Sequence, residues 1–488
     1  MKNLNIYLDQ REKLQKTWDF GVSTCHAPLL LRDDLQNQLK FIKQQCGFKY
    51  VRFHSVLNDD METVQPDGSF NFDKAIAVYR NVLALGFTPF VEISSMPSAL
   101  ASADSYICEY KFRNAPPADW EKWKKLVTAF TSALTAAFGE KEVRNWYFEV
   151  WNEPDISFWS GTQEEYFKLY DITRNAVKSV CSAYRVGGPA TSKTAWIGDF
   201  CDHVSNPSEF DDEKGIRCDF ISSHAYPSDL AFLNSADGEV KLLEADVLSD
   251  LCTKARRVID EKLGPEVPFI FGEWNSSAGP YAFNHDECNN APFICKTVIE
   301  LNNTVQGAIF WNASDIYEEG KFHYTPFHGG YGIVNVNDIP KSSFHAFRML
   351  NQLSGEQLGC SFDAEKCSEH GVVAAIDNRY LRIIVWNYRQ PGSEGKPLAF
   401  TFKGLPAGTV LDGEFILPGK GSAFETWCEL GSPDYINRKF LDILEEASIP
   451  AKAVIPATQI IELAPGTMAM FSCSSLMPIG NSFSRRKV

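Results

Sequence analysis

Two glutamates in this chain close apolar, aromatic-rich runs. Glu153 ends Trp146-Tyr-Phe-Glu-Val-Trp-Asn-Glu153, and Glu273 ends Pro268-Phe-Ile-Phe-Gly-Glu273 ahead of Trp274. Each run mixes aromatic and β-branched residues and reads as a buried strand. Pro154 has no N–H to give to a ladder and is expected to stop the first strand, leaving Glu153 at its C-terminal end. A pair of carboxyl groups on either side of one bond is the equipment of glycoside hydrolysis. One, protonated, donates to the leaving oxygen, and the other, ionised, attacks the anomeric carbon. A separation of about 5–5.5 Å gives retention through a covalent intermediate, and a wider one gives inversion. Glu153, set among aromatics, is expected to have a raised pKa and to be the acid, whereas Glu273 needs donors nearby to stay ionised. A lone strand-end glutamate is more often a helix cap or the partner of a surface lysine. Two of them in such contexts point to chemistry.

The two acids meet only if both strands belong to one barrel. The chain supplies the rhythm for it. Phe20–Cys25, Tyr50–His54, Thr88–Ser94, the Glu153 run, Tyr184–Pro189, Asp219–Tyr226, the Glu273 run and Gly307–Trp311 read as strands. Helical patterns separate them at Asp33–Cys46, Asp73–Leu85, Asp119–Phe138, Gln163–Ala183, about 241–262 and Pro292–Asn303, and Lys341–Leu353 closes the set. Eight alternations with near-continuous apolar strands predict an α/β fold, a closed (β/α)8 TIM barrel over residues 15–353. An open doubly wound sheet is disfavoured because no G-x-G-x-x-G follows the first strand. From residue 354 the texture changes to short alternating runs. Val372–Ile376, Leu381–Tyr388, Leu398–Phe402, Thr409–Ile416, Phe424–Cys428 and Ile460–Cys473 predict an appended antiparallel β-sandwich over 354–478, which residues 1–14 could join as an edge strand.

Composition narrows the partners. A chain of 488 residues with 44% hydrophobic residues can build two domains. Its net charge of −15, from 62 acids against 47 bases, disfavours nucleic acid or an anionic membrane. Aromatics are plentiful, with 11 Trp, and flat rings of this kind can stack on sugar faces, although core packing accounts for most of them. The start of the chain shows no secretory core, and no run of about 18 apolar residues is present, so a cytoplasmic protein without a membrane span is expected. The 13 cysteines are scattered with no C-x-x-C, and no H-E-x-x-H occurs, so reduced thiols and no metal site are expected.

The motifs together resemble glycoside hydrolase family 39, the β-xylosidase family. Tyr50-Val-Arg-Phe-His54 with Asn58-Asp-Asp60 is similar to that family's second strand end, and Pro89-Phe-Val-Glu-Ile-Ser-Ser-Met-Pro97 to its third. Phe148-Glu-Val-Trp-Asn-Glu-Pro154 resembles its acid/base strand, Asp219-Phe-Ile-Ser-Ser-His-Ala-Tyr226 its sixth strand, and Gly272-Glu-Trp-Asn-Ser-Ser277 its nucleophile strand. Phe310-Trp-Asn-Ala-Ser-Asp-Ile-Tyr-Glu-Glu319 and Phe327-His-Gly-Gly-Tyr-Gly332 complete a likeness that runs from about Trp18 to Met349.

The resemblance implies Glu153 as acid/base and Glu273 as nucleophile of a retaining exo-glycosidase. It further implies Asn152 on the sugar 2-OH, His54, His224 and Glu319 lining the site, Trp311 as its wall, Tyr226 bonded to Glu273, and Arg52 orienting the acids. The expected activity is a β-D-xylosidase on short xylo-oligosaccharides, needing no cofactor; a homo-oligomer is left open. Arabinopyranosides, galactosides and iduronides are the competing glycones within the family, and a catalytically silent carbohydrate-binding protein is the competitor outside it. Two departures from the family pattern bear on specificity: Ser95 replaces a bulky aromatic, and Asn312-Ala313 follows Trp311. No extra cation for a substrate carboxylate stands out in these motifs.

Overall fold

Residue types alternate along the barrel strands in step with the two-residue period of a strand. In the second strand Tyr50, Arg52 and His54 share one face, while Val51 and Phe53 share the other, and Phe53 packs its ring 5.4 Å from Tyr79 of the following helix. The computed structural model describes residues 1–206, 215–228, 246–363, 368–378 and 380–474. Eight strands pair in parallel and close into a barrel: Gly21–His26, Tyr50–His54, Thr88–Ile93, Tyr147–Val150, Arg185–Thr191, Phe220–His224, Phe269–Trp274 and Gly307–Phe310. We number them one to eight in chain order. Apolar inward residues at their N-terminal ends form the floor. Phe90, Phe220, Ile270 and Ile309 are fully buried, with Phe20, Tyr50 and Tyr147 packed against them. The floor is tight. A Cβ on Gly307 would lie 2.2 Å from the Phe20 ring, so only glycine fits there. With the floor filled by rings, the inward polar residues one and two steps further along each strand are carried to the C-terminal end.

The helices follow the expected spacing. Asp33–Cys46 ends on Gly47 at φ 74°, and Trp120–Phe138 starts from Asp119, whose side chain accepts from the backbone N–H groups of Glu121 and Lys122. Gln163–Val180 opens with a full capping box between Thr162 and Glu165. It stops three residues before Ala183. The helix after strand six is Asp246–Leu263, and residues 241–245 of the expected span lie outside the described residues. A further helix, Ile197–Ser205, lies between strands five and six.

By internal contacts the chain divides into two units. One is Lys16–His285 with Glu300–Asp338; the other joins Met1–Gln15 and Asp286–Ile299 to the chain from Ile339 on. In the second unit Lys2–Lys13 pairs antiparallel with Glu356–Phe362 and parallel with Leu398–Lys403, inside one ten-stranded sheet. The sheet curls. Leu398–Lys403 and Thr467–Cys473 lie five places apart in strand order, yet the rings of Phe402 and Phe471 are 5.1 Å apart across the shared core. Two expectations fail here. Phe424–Cys428 is not a strand but part of a helix, Phe424–Glu429, because Phe424 and Trp427 sit three residues apart and pack together at 5.9 Å. Ile460–Cys473 is not one strand but Ile461–Leu463 and Thr467–Cys473, divided at Pro465 and Gly466, the latter at φ 78°. The unit also contains the strands Glu356–Phe362 and Ala451–Pro456 and the helix Arg438–Ala447, which the sequence pattern does not mark.

Candidate active site

Above the floor the barrel carries charge. Glu92 of strand three and Glu149 of strand four are register partners, and Arg52 of strand two reaches both. A buried charge survives only if paired and hydrogen-bonded. Arg52, fully buried, meets that condition four times. Its Nε donates to Glu149 Oε2 at 2.7 Å, its Nη1 to Glu273 Oε2 at 3.1 Å, and its Nη2 to Asn152 Oδ1 at 2.9 Å, with Glu92 Oε2 at 2.7 Å. Burial works against the charge, but Glu149, Glu92 and Glu273 overcome it and raise the guanidinium's pKa.

Glu153 is placed by an unusual backbone. Strand four ends at Val150, not at Pro154, because Trp151 and Glu153 take left-handed conformations with φ 72° and 41°. Such residues cost about 1–3 kcal/mol each and collect at functional sites. Two contacts hold the turn: Trp151 Nε1 donates to the Phe158 carbonyl at 2.8 Å, and the Glu153 N–H to the Ala190 carbonyl at 2.8 Å. The Glu153 carboxyl faces His224 Nδ1 at 3.0 Å. Burial, with Asp155 and Glu319 adding to it against His54 and Arg52, pushes Glu153 up to about 8.

Glu273 is placed by a bulge. Phe271 pairs with Ser223 and Glu273 with His224, so Gly272 is the extra residue of strand seven, and the bulge aims the carboxylate into the mouth. The Tyr226 hydroxyl donates to Oε1 and Arg52 to Oε2. Burial raises the pKa of Glu273 as well, with His224 and Arg52 opposing and Glu153 reinforcing it. The two acids are coupled, and the donors decide between them. Glu273 has a guanidinium and a phenol, whereas Glu153 has only an imidazole that burial keeps neutral, lowered to about 4. The proton therefore resides on Glu153 and the charge on Glu273. Single ligand-type atoms of Glu153, His224 and Glu273 all lie within 4.8 Å of one another. A cation could take these three atoms only in competition with Arg52, which already neutralises Glu273.

Seven of the predicted residues ring a pocket of about 430 Å³. His54, Asn152, Glu153, Tyr226, Glu273, Trp311 and Glu319 line it. His54 lies between Glu92 at 2.6 Å and Glu319 at 3.4 Å. Burial opposes its charge, but these carboxylates raise it to about 10, so it is an imidazolium. The ring of Trp311 sits 4.8 Å from that of His54. Arg52 and His224 do not line the pocket. For His224 this corrects the expectation: its ring lies behind the acids, fully buried, with Nδ1 turned to Glu153.

Ser95 and Asn312 also stay out of the lining. Ser95 is buried and donates to Asn58 Oδ1 at 3.0 Å, and Asn312 Oδ1 accepts from the Ser314 N–H at 2.8 Å. Each follows a cis peptide bond. Several residues escaped the sequence reading. Glu92 and Glu149 could have been found, since an acid inside an apolar strand demands a buried partner. Phe158 and Lys193 line the pocket and carry no sequence signal, whereas Tyr331, also in the lining, falls inside the Phe327–Gly332 motif without having been singled out. Lys193 sits at φ 54° in a turn after strand five, beside Ser192, whose N–H and hydroxyl bind Asp155 at 2.8 and 2.6 Å.

Comparisons with known proteins agree on one relationship. The model of glycosyl hydrolases family 39 matches residues 4–461. A beta-xylosidase of Caldicellulosiruptor saccharolyticus is 37% identical over 445 residues, covering 89% of each chain. A beta-xylosidase of Geobacillus stearothermophilus is 32% identical over 463 residues, covering 92% of this chain and 89% of that one. Among solved structures, a monomeric beta-xylosidase from Caulobacter crescentus CB15 superposes with a TM-score of 0.85 at 28% identity, covering 97% of this chain and 99% of that one.

Proposed function

This chain belongs to glycosyl hydrolase family 39, and on that premise we propose that it is a retaining exo-acting β-D-xylosidase that trims short xylo-oligosaccharides. The observation that carries the mechanism is the pairing of Glu153 and Glu273, with oxygens within 4.8 Å and the guanidinium and phenol donors on Glu273 alone. That closeness fits the short separation of double displacement. In the first step Glu273 attacks the anomeric carbon, the bond to the aglycone oxygen breaks, and Glu153 gives that oxygen its proton. In the second, water attacks the glycosyl ester from the opposite face, Glu153 takes the water's proton, and Glu273 leaves as carboxylate. Arg52 and Tyr226 keep Glu273 ionised. Asn152, its amide oxygen held by Arg52, contacts the 2-OH; His54 and Glu319 bind further hydroxyls, and Trp311 forms the wall. The pocket volume lies at the low end of the ~300–1,000 Å³ usual for small ligands, which suits chain ends over polymer.

The glycone follows the relatives, and one feature favours a second reading. Lys193 puts an ammonium on the pocket wall, as an acidic sugar such as an α-L-iduronide requires. A cytoplasmic site of action is supported by the cysteines, which are free thiols among the described residues, and no helix there is long and apolar enough to cross a membrane. The test is a panel of aryl glycosides with purified protein: β-xyloside, α-L-arabinopyranoside, β-galactoside, β-glucoside and α-L-iduronide. Fastest cleavage of β-xyloside supports the proposal. Preference for the iduronide, lost in Lys193→Met, moves the second reading ahead. No turnover of any of them returns the silent binding protein.

A further inference from the structure

Two buried polar atoms behind the acids lack a hydrogen-bond partner: Oε1 of Glu149 and Nε2 of His224. Both residues are fully buried. Both atoms face the same spot. A Cβ built on Gly272 would lie 3.3 Å from His224 Nε2 and 3.4 Å from Glu149 Oε1. The bulge that aims Glu273 therefore also leaves a side-chain-free space between an imidazole and a carboxylate. Ser222, two residues before His224 on strand six, adds a third buried oxygen without a partner.

We propose that Glu149 is a positioning residue that sets the tautomer of His224, through a water held over Gly272, with the proton on Nε2 and the lone pair of Nδ1 turned to Glu153. A buried water needs two to four polar partners, and these groups supply them. The other oxygen of Glu149 is taken by Arg52 Nε. A carboxylate only accepts, so the bridging water donates to Glu149 and is free to accept from His224. A neutral imidazole has one N–H and one lone pair. Once Nε2 carries the proton, Nδ1, 3.0 Å from Glu153, can only accept.

This orientation serves the reaction. A lone pair facing Glu153 accepts from its protonated carboxyl and repels the ionised form, whereas Nδ1–H would stabilise the carboxylate and lower its pKa. His224 thus helps keep the proton on Glu153 before the first step and helps restore it in the second. The charged groups facing His224 are Glu273, Arg52, Glu149 and Glu92, besides Glu153 itself. Asp155, His54, Glu319 and Arg52 also face Glu153. Of these, Glu273 Oε2 stands 3.8 Å from Nδ1 and favours a proton there, so the bridged Glu149 carboxylate at Nε2 has to outweigh it to fix the tautomer.

The inference rests on Glu153 being the acid/base, and its test is chosen to fail separately. Nitrogen-15 NMR of protein labelled at histidine, with His224 assigned through His224→Asn, reads the tautomer without any turnover. Nε2–H is expected in the wild type. Glu149→Gln keeps an oxygen for Arg52 and turns an N–H toward the space, so the proton should move to Nδ1. The basic limb of kcat/KM should then shift to lower pH, on the order of one unit. Gly272→Ala, which crowds the water while keeping Glu149, should shift the limb the same way. A wild-type ring protonated on Nδ1 overturns the proposal. So does a basic limb that stays in place in both variants while kcat/KM falls equally at every pH, since that is what a structural role alone would give. If Glu149→Gln does not fold, the wild-type spectrum and Gly272→Ala decide.

Discussion

Glu153 and Glu273 bring oxygens within 4.8 Å of each other, yet only Glu273 is held by a guanidinium and a phenol. Two carboxyl groups so close and so buried cannot both be ionised without cost, and the asymmetry of their donors supports the proposed roles, acid/base for Glu153 and nucleophile for Glu273.

Removing the nucleophile should stop the first step. Glu273→Ala is expected to lower kcat by at least about 10⁴-fold. Added azide, entering from the vacated face, should restore turnover and give the glycosyl azide of opposite anomeric configuration. Unchanged activity in this variant would remove Glu273 from the mechanism.

Removing the acid should sort substrates by leaving group. Glu153→Ala should lose about 10²–10⁴-fold on poor leaving groups and far less on activated aryl glycosides, because only the former need a proton. Kinetics on a graded aryl series checks this; equal losses across the series would make Glu153 structural.

The raised pKa of Glu153 has two consequences. As the acid it works only when protonated, so kcat/KM should fall on the basic side near pH 8. Its folded-state value of about 8 stands above the ordinary 4.5, so stability is lost as pH rises from 4.5 through 8, because the unfolded chain releases this proton in that range while the native state holds it. Glu153→Gln should therefore gain thermal stability over the wild type progressively between pH 5 and 8, which melting curves at stepped pH will read. A constant difference across that range would argue against a raised pKa.

Arg52 holds several buried carboxylates at once. Arg52→Met should destabilise the fold by about 3–5 kcal/mol, the usual penalty for leaving a buried charge unpaired. Denaturant titration measures it. Losing activity without losing stability would mean that the cluster is more hydrated than its burial implies.

Tyr226→Phe removes one of the donors to Glu273 while keeping its ring. The acid limb of kcat/KM should move to higher pH, because Glu273 then ionises less readily. A profile with an unmoved acid limb would show that Arg52 alone sets the charge.

Much of this was legible before the fold. The helix Asp33–Cys46 and the strand Tyr50–His54 have the ends their patterns predict, because Gly47 and the two-residue alternation mark them plainly. The acids stood out as carboxyls closing apolar runs. What stayed hidden depends on backbone detail. The left-handed turns at Trp151 and Glu153, and the bulge at Gly272, move side chains without changing the hydrophobic pattern, so the place of His224 behind the pocket could not be read. Lys193 reaches the pocket from a loop with no periodicity. In the second unit, Phe424–Glu429 misled because a short apolar run fits strand and helix alike, and spacing between two aromatics was the only clue.

Double displacement requires a covalent glycosyl ester on Glu273. Incubation with an activated 2-deoxy-2-fluoro-β-D-xyloside, followed by mass spectrometry of the digested protein, tests it most directly. Time-dependent inactivation is expected, with one sugar attached to the peptide bearing Glu273. Attachment to another carboxylate, or no adduct from an enzyme that cleaves β-xylosides with inversion, would contradict it.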